Sequence, residues 1–142
     1  MTWLAGLIGM LGFAGCSSSA SAPGHYQYPC NTGTQQQLAE PTPGQTGVST
    51  TSGWVTIVAY GNSNPLYSGH NQWIVTLIDD KGSPWTGGPL GLVSDPSGPH
   101  PYPSDFYYAS SLPKLNAGHT YQAYLSQPGG ACTPVLVGSF ST

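Results

Sequence analysis

The hydrophobic residues of this chain follow two patterns, and the first is a single stretch near its start. No side chain between Thr2 and Gly15 carries a charge, and large apolar residues are frequent there. A transmembrane helix needs roughly 20 apolar residues, whereas this stretch soon meets the polar run Ser17-Ser18-Ser19. Its length is typical of the hydrophobic region of a secretory signal peptide. The pattern therefore predicts an export signal rather than a membrane-spanning helix.

The second pattern is the alternation of apolar and polar residues, which predicts β-strands. In Gly53–Tyr60, the side chains of Val55, Ile57 and Ala59 share one face, and the other face is apolar enough to be partly covered. The same reasoning predicts strands at Gln72–Asp79, Leu90–Val93, Phe106–Ser110, residues 121–125 and Pro134–Thr142. Residues 31–46 are predicted to be mostly loop, with room for one short strand.

Turn-forming residues separate these strands and leave few places for a helix. The chain has 20 Gly and 14 Pro, and both residue types interrupt helices. Asp79-Asp80-Lys81-Gly82 has the composition of an exposed turn, and we assign Gly87-Gly88-Pro89 to a loop. Asp95–Pro103 contains four prolines and is predicted to be an extended surface loop. The chain is therefore predicted to be all-β.

The sequence Phe13-Ala14-Gly15-Cys16 resembles the lipobox, which is the processing signal of bacterial lipoproteins. Phe13 stands where Leu is usual. The resemblance implies that residues 1–15 are a signal peptide, and that Cys16 is acylated and becomes the first residue of the mature chain. Two or more acyl chains give stable membrane attachment, whereas a single chain dissociates. The alternative is an ordinary cleaved signal peptide in which Cys16 has no special role.

Residues 16–29 are small and polar and include Pro and Gly, which predicts a flexible spacer between the lipid and a folded domain. The lipoprotein resemblance implies that the lipid bilayer is a partner and that the protein lies at the cell envelope. Ser17 resembles the residue that follows the acylated cysteine in lipoproteins sorted to the outer membrane of diderm bacteria. In a monoderm, the protein is expected on the outer face of the cytoplasmic membrane.

Cys30 and Cys132 are the two cysteines left once Cys16 is assigned to the lipid. They do not have the spacing of a metal site, and an exported chain meets an oxidising compartment. We expect them to form a disulfide bond between the start of the folded domain and its last hairpin. Closing a loop of about 100 residues is worth up to ~4.7 kcal/mol. Two free thiols are the alternative.

The last third of the chain indicates a fold within the all-β class. Leu115, Gly118 and Tyr121 have the spacing of the corner that enters the penultimate strand of immunoglobulin-like and fibronectin type III-like sandwiches. The resemblance implies that the Tyr121 hydroxyl bonds to nearby backbone, and strand parity places Tyr121 and Leu125 inward. Residues 30–142 are therefore predicted to form one immunoglobulin-like antiparallel β-sandwich.

The charge of the chain excludes one class of partner. Lys81 and Lys114 are its basic residues, and the formal net charge is −3 at pH 7. Such a chain cannot present the basic surface that nucleic-acid phosphates require, so nucleic acid is excluded as a partner. No motif for a cofactor is present, and none is expected to bind.

No group of residues has the pattern of a catalytic or metal site. Asp79 and Asp80 are adjacent and would point to opposite faces of a strand, so they are poor candidates for the converging carboxylates of a hydrolase. The histidines are scattered singly without the clusters typical of metal sites: His25, His70, His100 and His119. The protein is therefore not expected to be an enzyme, and the hypothesis of a small hydrolase or metal-binding enzyme is the least favoured one.

Aromatic residues beside the Gly/Pro loops remain as candidates for ligand binding: Trp85, Tyr102, Tyr107 and Tyr108. Exposed aromatic faces at the edge of a sandwich can stack on sugar rings, while Asn, Gln and Asp bond the hydroxyls. Alternatively, these rings pack on the prolines beside them. The sequence favours a membrane-anchored lipoprotein with a structural, adhesive or protein-interaction role. The second hypothesis is a glycan- or peptidoglycan-binding module that uses these aromatic residues.

Overall fold

A computed structural model describes Cys30, residues 35–130 and residues 132–142. The predicted signal peptide, Cys16 and the spacer lie outside these described residues. The strands are β1 (Gln36–Glu40), β2 (Trp54–Ala59), β3 (Ile74–Asp79), β4 (Pro84–Pro89), β5 (Gly91–Leu92), β6 (Tyr107–Ser111), β7 (Thr120–Ser126) and β8 (Val135–Ser141). A helix of one turn, α1 (Leu66–Gly69), and short 3₁₀ turns at His70–Gln72, Ser104–Phe106 and Pro128–Gly130 connect them. Within this described part, no helix is long and apolar enough to cross a membrane.

The strands form two four-stranded antiparallel sheets, which confirms the predicted all-β sandwich. The first sheet has the order β1-β2-β6-β5, and the second has the order β4-β3-β7-β8. Immunoglobulin-like sandwiches place their first, second, fifth and fourth strands in one sheet and the remaining strands in the other. The strand order here follows that scheme, with β4 as an additional edge strand of the second sheet.

The hydrophobic core lies between the two sheets and follows the predicted strand parity. Val55, Ile57 and Ala59 of β2 are fully buried, and they face the fully buried Tyr121 and Leu125 on the inner side of the second sheet. The large side chains assigned to the core from the sequence are also buried: Trp73, Tyr121 and Phe140. At ~25 cal/mol per Å² of apolar surface, this interior supplies the main free energy that holds the sheets together.

The outer face of the first sheet is covered by the segment 95–103, which we call the proline-rich loop. The Ser97 hydroxyl donates a hydrogen bond of 2.6 Å to Oε1 of Glu40, at the end of β1, although the two residues are 57 positions apart. Thr56 and Val58 on the outer side of β2 are buried. The loop thus contains no strand, as predicted, and explains why both faces of β2 are covered.

The assignment of Gly87-Gly88-Pro89 to a loop is wrong, because these residues belong to strand β4. The pairing of β3 with β4 shifts register between Ile74 and Thr76, and the two glycines lie opposite this irregularity. Glycine within a strand often marks a bulge or a close approach of another chain segment. A Cβ on Gly87 would lie 2.8 Å from the carbonyl oxygen of Ser111, so β4 and β6 approach too closely here for any larger residue.

Cys30 and Cys132 form a disulfide bond, as predicted from the sequence. The backbone N–H of Cys30 also donates a hydrogen bond of 2.8 Å to the carbonyl oxygen of Thr133. Both cysteines are buried. The bond therefore fastens the start of the described domain to the segment between β7 and β8.

Candidate functional site

Two of the aromatic residues singled out from the sequence meet where the proline-rich loop covers the first sheet: Tyr102 belongs to this loop, and Tyr107 is the first residue of β6. Tyr107 is buried, and the His100 ring packs edge-on against it with centroids 5.8 Å apart. The half-buried Tyr102 stacks on Tyr60, with centroids 5.5 Å apart and ring planes 7° from parallel. Pro99 lines the crevice that both tyrosines share. The two rings therefore pack within a local cluster of proline and aromatic side chains.

The other two, Trp85 and Tyr108, point elsewhere. Tyr108 follows Tyr107 on β6, so it faces the opposite side of the sheet and joins the core. Trp85 lies in β4, opposite the fully buried Leu77, and packs half-buried against the core. The four aromatic residues thus lie in the second sheet (Trp85), on the two faces of the first sheet (Tyr107 and Tyr108) and in the proline-rich loop (Tyr102). They do not form one surface.

Trp54 is the most exposed large hydrophobic residue that the structure describes, with 61% of its surface accessible. It is the first residue of β2, and its outward orientation follows from the same alternation that turns Val55 inward. Beside it lies a groove of about 410 Å³, which we call the Trp54 groove. Its lining consists of Glu40, Pro41, Gln45, Gly47, Val48, Ser49, Ser52, Trp54, Thr56 and Ser97.

The Trp54 groove combines one aromatic ring with several hydrogen-bonding groups. Glu40 is held on one side by the hydrogen bond from Ser97, so its carboxylate has a fixed position. Gln45 is held by its amide oxygen, which accepts a bond of 3.0 Å from the backbone N–H of Thr42. Chemically, the groove can stack a ring on the indole and bond polar substituents through a carboxylate, an amide and hydroxyls.

The sequence placed Trp54 on the outer face of β2 but gave no reason to single it out. That face was expected to be partly covered, and the proline-rich loop does cover Thr56 and Val58. The proline-rich loop does not extend over Trp54. Ser97 is its one residue that lines the Trp54 groove. The part of the sheet that this loop of nine residues covers is determined by tertiary packing. The local sequence pattern therefore could not show that Trp54 is exposed.

Asp79, Asp80 and His119 form a second polar cluster, in which one ligand atom from each residue lies within 4.8 Å of the others. His119 Nδ1 lies 2.7 Å from Oδ1 of Asp80 and 3.7 Å from Oδ2 of Asp79. Asp79 Oδ1 accepts backbone N–H bonds from Lys81 and Ser83, which is the expected chemistry of a turn. The expectation that the two carboxylates point to opposite faces of a strand is wrong, because β3 ends at Asp79 and Asp80 already belongs to the turn. The cluster joins the β3–β4 turn to the corner before β7.

No model of a known protein family matches the chain, and neither a curated protein nor a solved structure matches it. Among the described histidines, His70 packs against Tyr108 and His100 against Tyr107, whereas His119 contacts the two aspartates. These three histidines thus contact different partners, and the Trp54 groove is an exposed site with varied hydrogen-bonding groups.

Proposed function

We propose that this chain is a lipid-anchored extracytoplasmic module that binds a component of the cell envelope and has a structural or adhesive role. The uncharged leader and the lipobox-like Phe13-Ala14-Gly15-Cys16 support the anchor. The disulfide supports export, because such bonds form and persist in oxidising compartments. The spacer of residues 16–29 would let the sandwich reach away from the membrane to meet its partner.

The Trp54 groove is the observation that carries the binding role. Trp54 is 61% exposed, and tryptophan is enriched among the residues that dominate binding energies. Its neighbours are a carboxylate and hydroxyl groups rather than further large apolar side chains. This composition favours a ligand that has both an apolar ring face and many hydroxyls.

A glycan of the envelope fits that description better than a flat protein surface does. The carbon-bound hydrogens of a sugar ring can pack on the indole of Trp54, while Glu40 and Gln45 bond the hydroxyls. A protein partner would favour a broader apolar patch. The other large hydrophobic side chains that are exposed among the described residues do not line this groove: Tyr67, Leu92 and Leu136. The glycan-binding hypothesis is therefore retained, with Trp54 in place of the loop aromatic residues.

Mass spectrometry of the processed chain tests the anchor. We expect the N-terminus to be an acylated Cys16, recovered from the outer membrane of a diderm or the cytoplasmic membrane of a monoderm. A mature chain that begins with unmodified Cys16, or at a residue beyond it, would contradict the lipoprotein assignment and leave the binding role to be tested separately.

Cosedimentation with insoluble envelope polysaccharide tests the binding role. The processed full chain, kept in a polyoxyethylene detergent that has no sugar headgroup, is expected to sediment with the polysaccharide, whereas Trp54→Ala should stay in solution. Leu136→Ala is the matched control, because Leu136 is 48% exposed on the second sheet. Equal sedimentation of all three chains would contradict the site. If the chain binds only envelope material that protease treatment removes, the partner is a protein and not a glycan.

A further inference from the structure

A second pocket lies at the opposite end of the sandwich from Trp54, where β2 ends and β6 begins. It has a volume of about 330 Å³, near the lower end of the range for small-molecule sites. Its lining is formed by Tyr67, His70, Leu92, Asp105, Phe106 and Tyr108. Four of these six residues carry rings, so we call it the aromatic pocket.

The rings of the aromatic pocket are held in place by contacts with one another and by one hydrogen bond to backbone outside the pocket. Tyr67 and Phe106 pack with centroids 4.8 Å apart at an angle of 42°. The Tyr67 hydroxyl donates a hydrogen bond of 2.9 Å to the carbonyl oxygen of Gly61, which fixes the orientation of its ring. Tyr108 is 2% exposed and packs against His70 with centroids 5.0 Å apart. The walls are therefore formed before any ligand enters.

Among the described residues that line the aromatic pocket, Asp105 is the one carboxylate, and its side chain is exposed. Burial and then the negative charge of Asp105 raise the pKa of the Tyr67 hydroxyl above its usual value. This direction agrees with a carboxylate close enough to act on the pocket. Neither lysine of the chain, Lys81 or Lys114, is among the lining residues. The pocket thus presents aromatic rings and a negative charge.

We propose that the aromatic pocket binds a methylated ammonium group, such as that of choline or betaine. Ring faces attract cations through their quadrupole, and aromatic cages are the usual means of recognising quaternary ammonium groups. Asp105 adds an opposite charge at the rim. A primary ammonium has three N–H donors that need acceptors, whereas the rings and Leu92 offer contacts that suit methyl groups.

Calorimetric titration of the processed chain with choline, in the same polyoxyethylene detergent, tests this proposal. The control ligand is 3,3-dimethyl-1-butanol, which has the shape of choline without its charge. Choline is expected to bind in the millimolar range, and the neutral analogue roughly fivefold or more weakly, because only the cation gains from the rings and the carboxylate. Equal binding of the two ligands, or no binding of choline, would overturn the proposal.

Two variants locate the binding in the pocket. Asp105→Asn and Phe106→Leu should each weaken choline binding several-fold, while Asp95→Asn, which removes a carboxylate outside the pocket, should not. Circular dichroism and thermal unfolding show whether each variant is folded, and Asp105→Asn removes an exposed charge without changing the shape of the side chain. If Asp105→Asn and Phe106→Leu are both folded and both bind choline as tightly as the unsubstituted chain does, the assignment of choline binding to this pocket is wrong.

Two larger ligands distinguish the source of the methylated ammonium group. Glycerophosphocholine presents it as in a lipid headgroup, and glycine betaine presents it as in a free solute. Tighter binding of the first assigns a lipid headgroup, and tighter binding of the second assigns a solute; both results support the pocket. Failure of either ligand to compete with choline would overturn the proposal.

Discussion

The hydroxyl oxygen of Tyr121 accepts a hydrogen bond of 2.8 Å from the backbone N–H of Asn116, five residues earlier in the chain. Tyr121 itself is fully buried, and its ring stacks on Phe140 of the neighbouring strand β8 with centroids 5.6 Å apart. One side chain therefore joins the core of the sandwich to the loop that leads into β7. This is the geometry expected of a tyrosine corner.

Tyr121→Phe should destabilise the protein by about 1 kcal/mol, since it removes this hydrogen bond and keeps the ring. Chemical denaturation measures the change in the free energy of unfolding. The matched control is Tyr124→Phe on the same strand, because the Tyr124 hydroxyl bonds only to the exposed Gln122 among the contacts described. A loss of stability that is equal in the two variants would show that the corner has no special role.

Features that depend on nearby residues were predictable from the sequence. The corner at Tyr121, the buried face of β2 and the turn at Asp79 follow from local spacing and turn chemistry, and the structure has each of them. The disulfide followed from counting cysteines in a chain that was predicted to be exported. Except for the disulfide, the physical cause of these features lies in residues close together in sequence.

Features that depend on tertiary packing were not predictable. Strand β4 was missed because Gly87 and Gly88 have low strand propensity and no side chain to show an alternating pattern. They are required by the close approach of β6, which is far away in sequence. Likewise, the exposure of Trp54 depends on where the proline-rich loop ends, and the contact of His119 with Asp80 spans 39 positions.

Replacing Cys30 and Cys132 together with serine should destabilise the protein by about 2–5 kcal/mol, because the disulfide closes a loop of about 100 residues in the unfolded chain. Thermal unfolding with and without a reductant provides the measurement. The reductant should lower the melting temperature of the unsubstituted chain and leave that of the double variant unchanged. A reductant-resistant melting temperature in the unsubstituted chain would contradict a stabilising role.

Gly87→Ala should cost about 1–3 kcal/mol, as is usual for overpacking a close contact. The added methyl group would lie 2.8 Å from the carbonyl oxygen of Ser111, so backbone must move. Gly91→Ala in strand β5 is the matched control, because the nearest atom to its Cβ is the Ala109 carbonyl oxygen at 4.0 Å. Denaturation midpoints that fall equally for both variants would point to a general effect of alanine rather than to the close approach.

Asp105→Asn should lower the pKa of Tyr67, since a nearby negative charge disfavours the phenolate and its removal relieves that effect. Burial, which is the larger cause of the raised pKa, persists in the variant, so the pKa should fall only part of the way. NMR of tyrosines labelled at Cζ, titrated upward from pH 9, follows the ionisation, and Tyr67→Phe assigns the signal. A Tyr67 signal that titrates identically with and without Asp105 would place the carboxylate too far away to act on the pocket.

The most direct test of the proposed function is whether ligand covers the indole of Trp54. Acrylamide quenching of tryptophan fluorescence reports this, because Trp54 is 61% exposed whereas Trp73 is only 4% exposed. A soluble fragment of the polysaccharide that the chain sediments with should reduce the quenching, and the reduction should be absent in Trp54→Phe. Binding of the fragment with no change in the quenching of Trp54 would contradict the assignment of the groove as the glycan site.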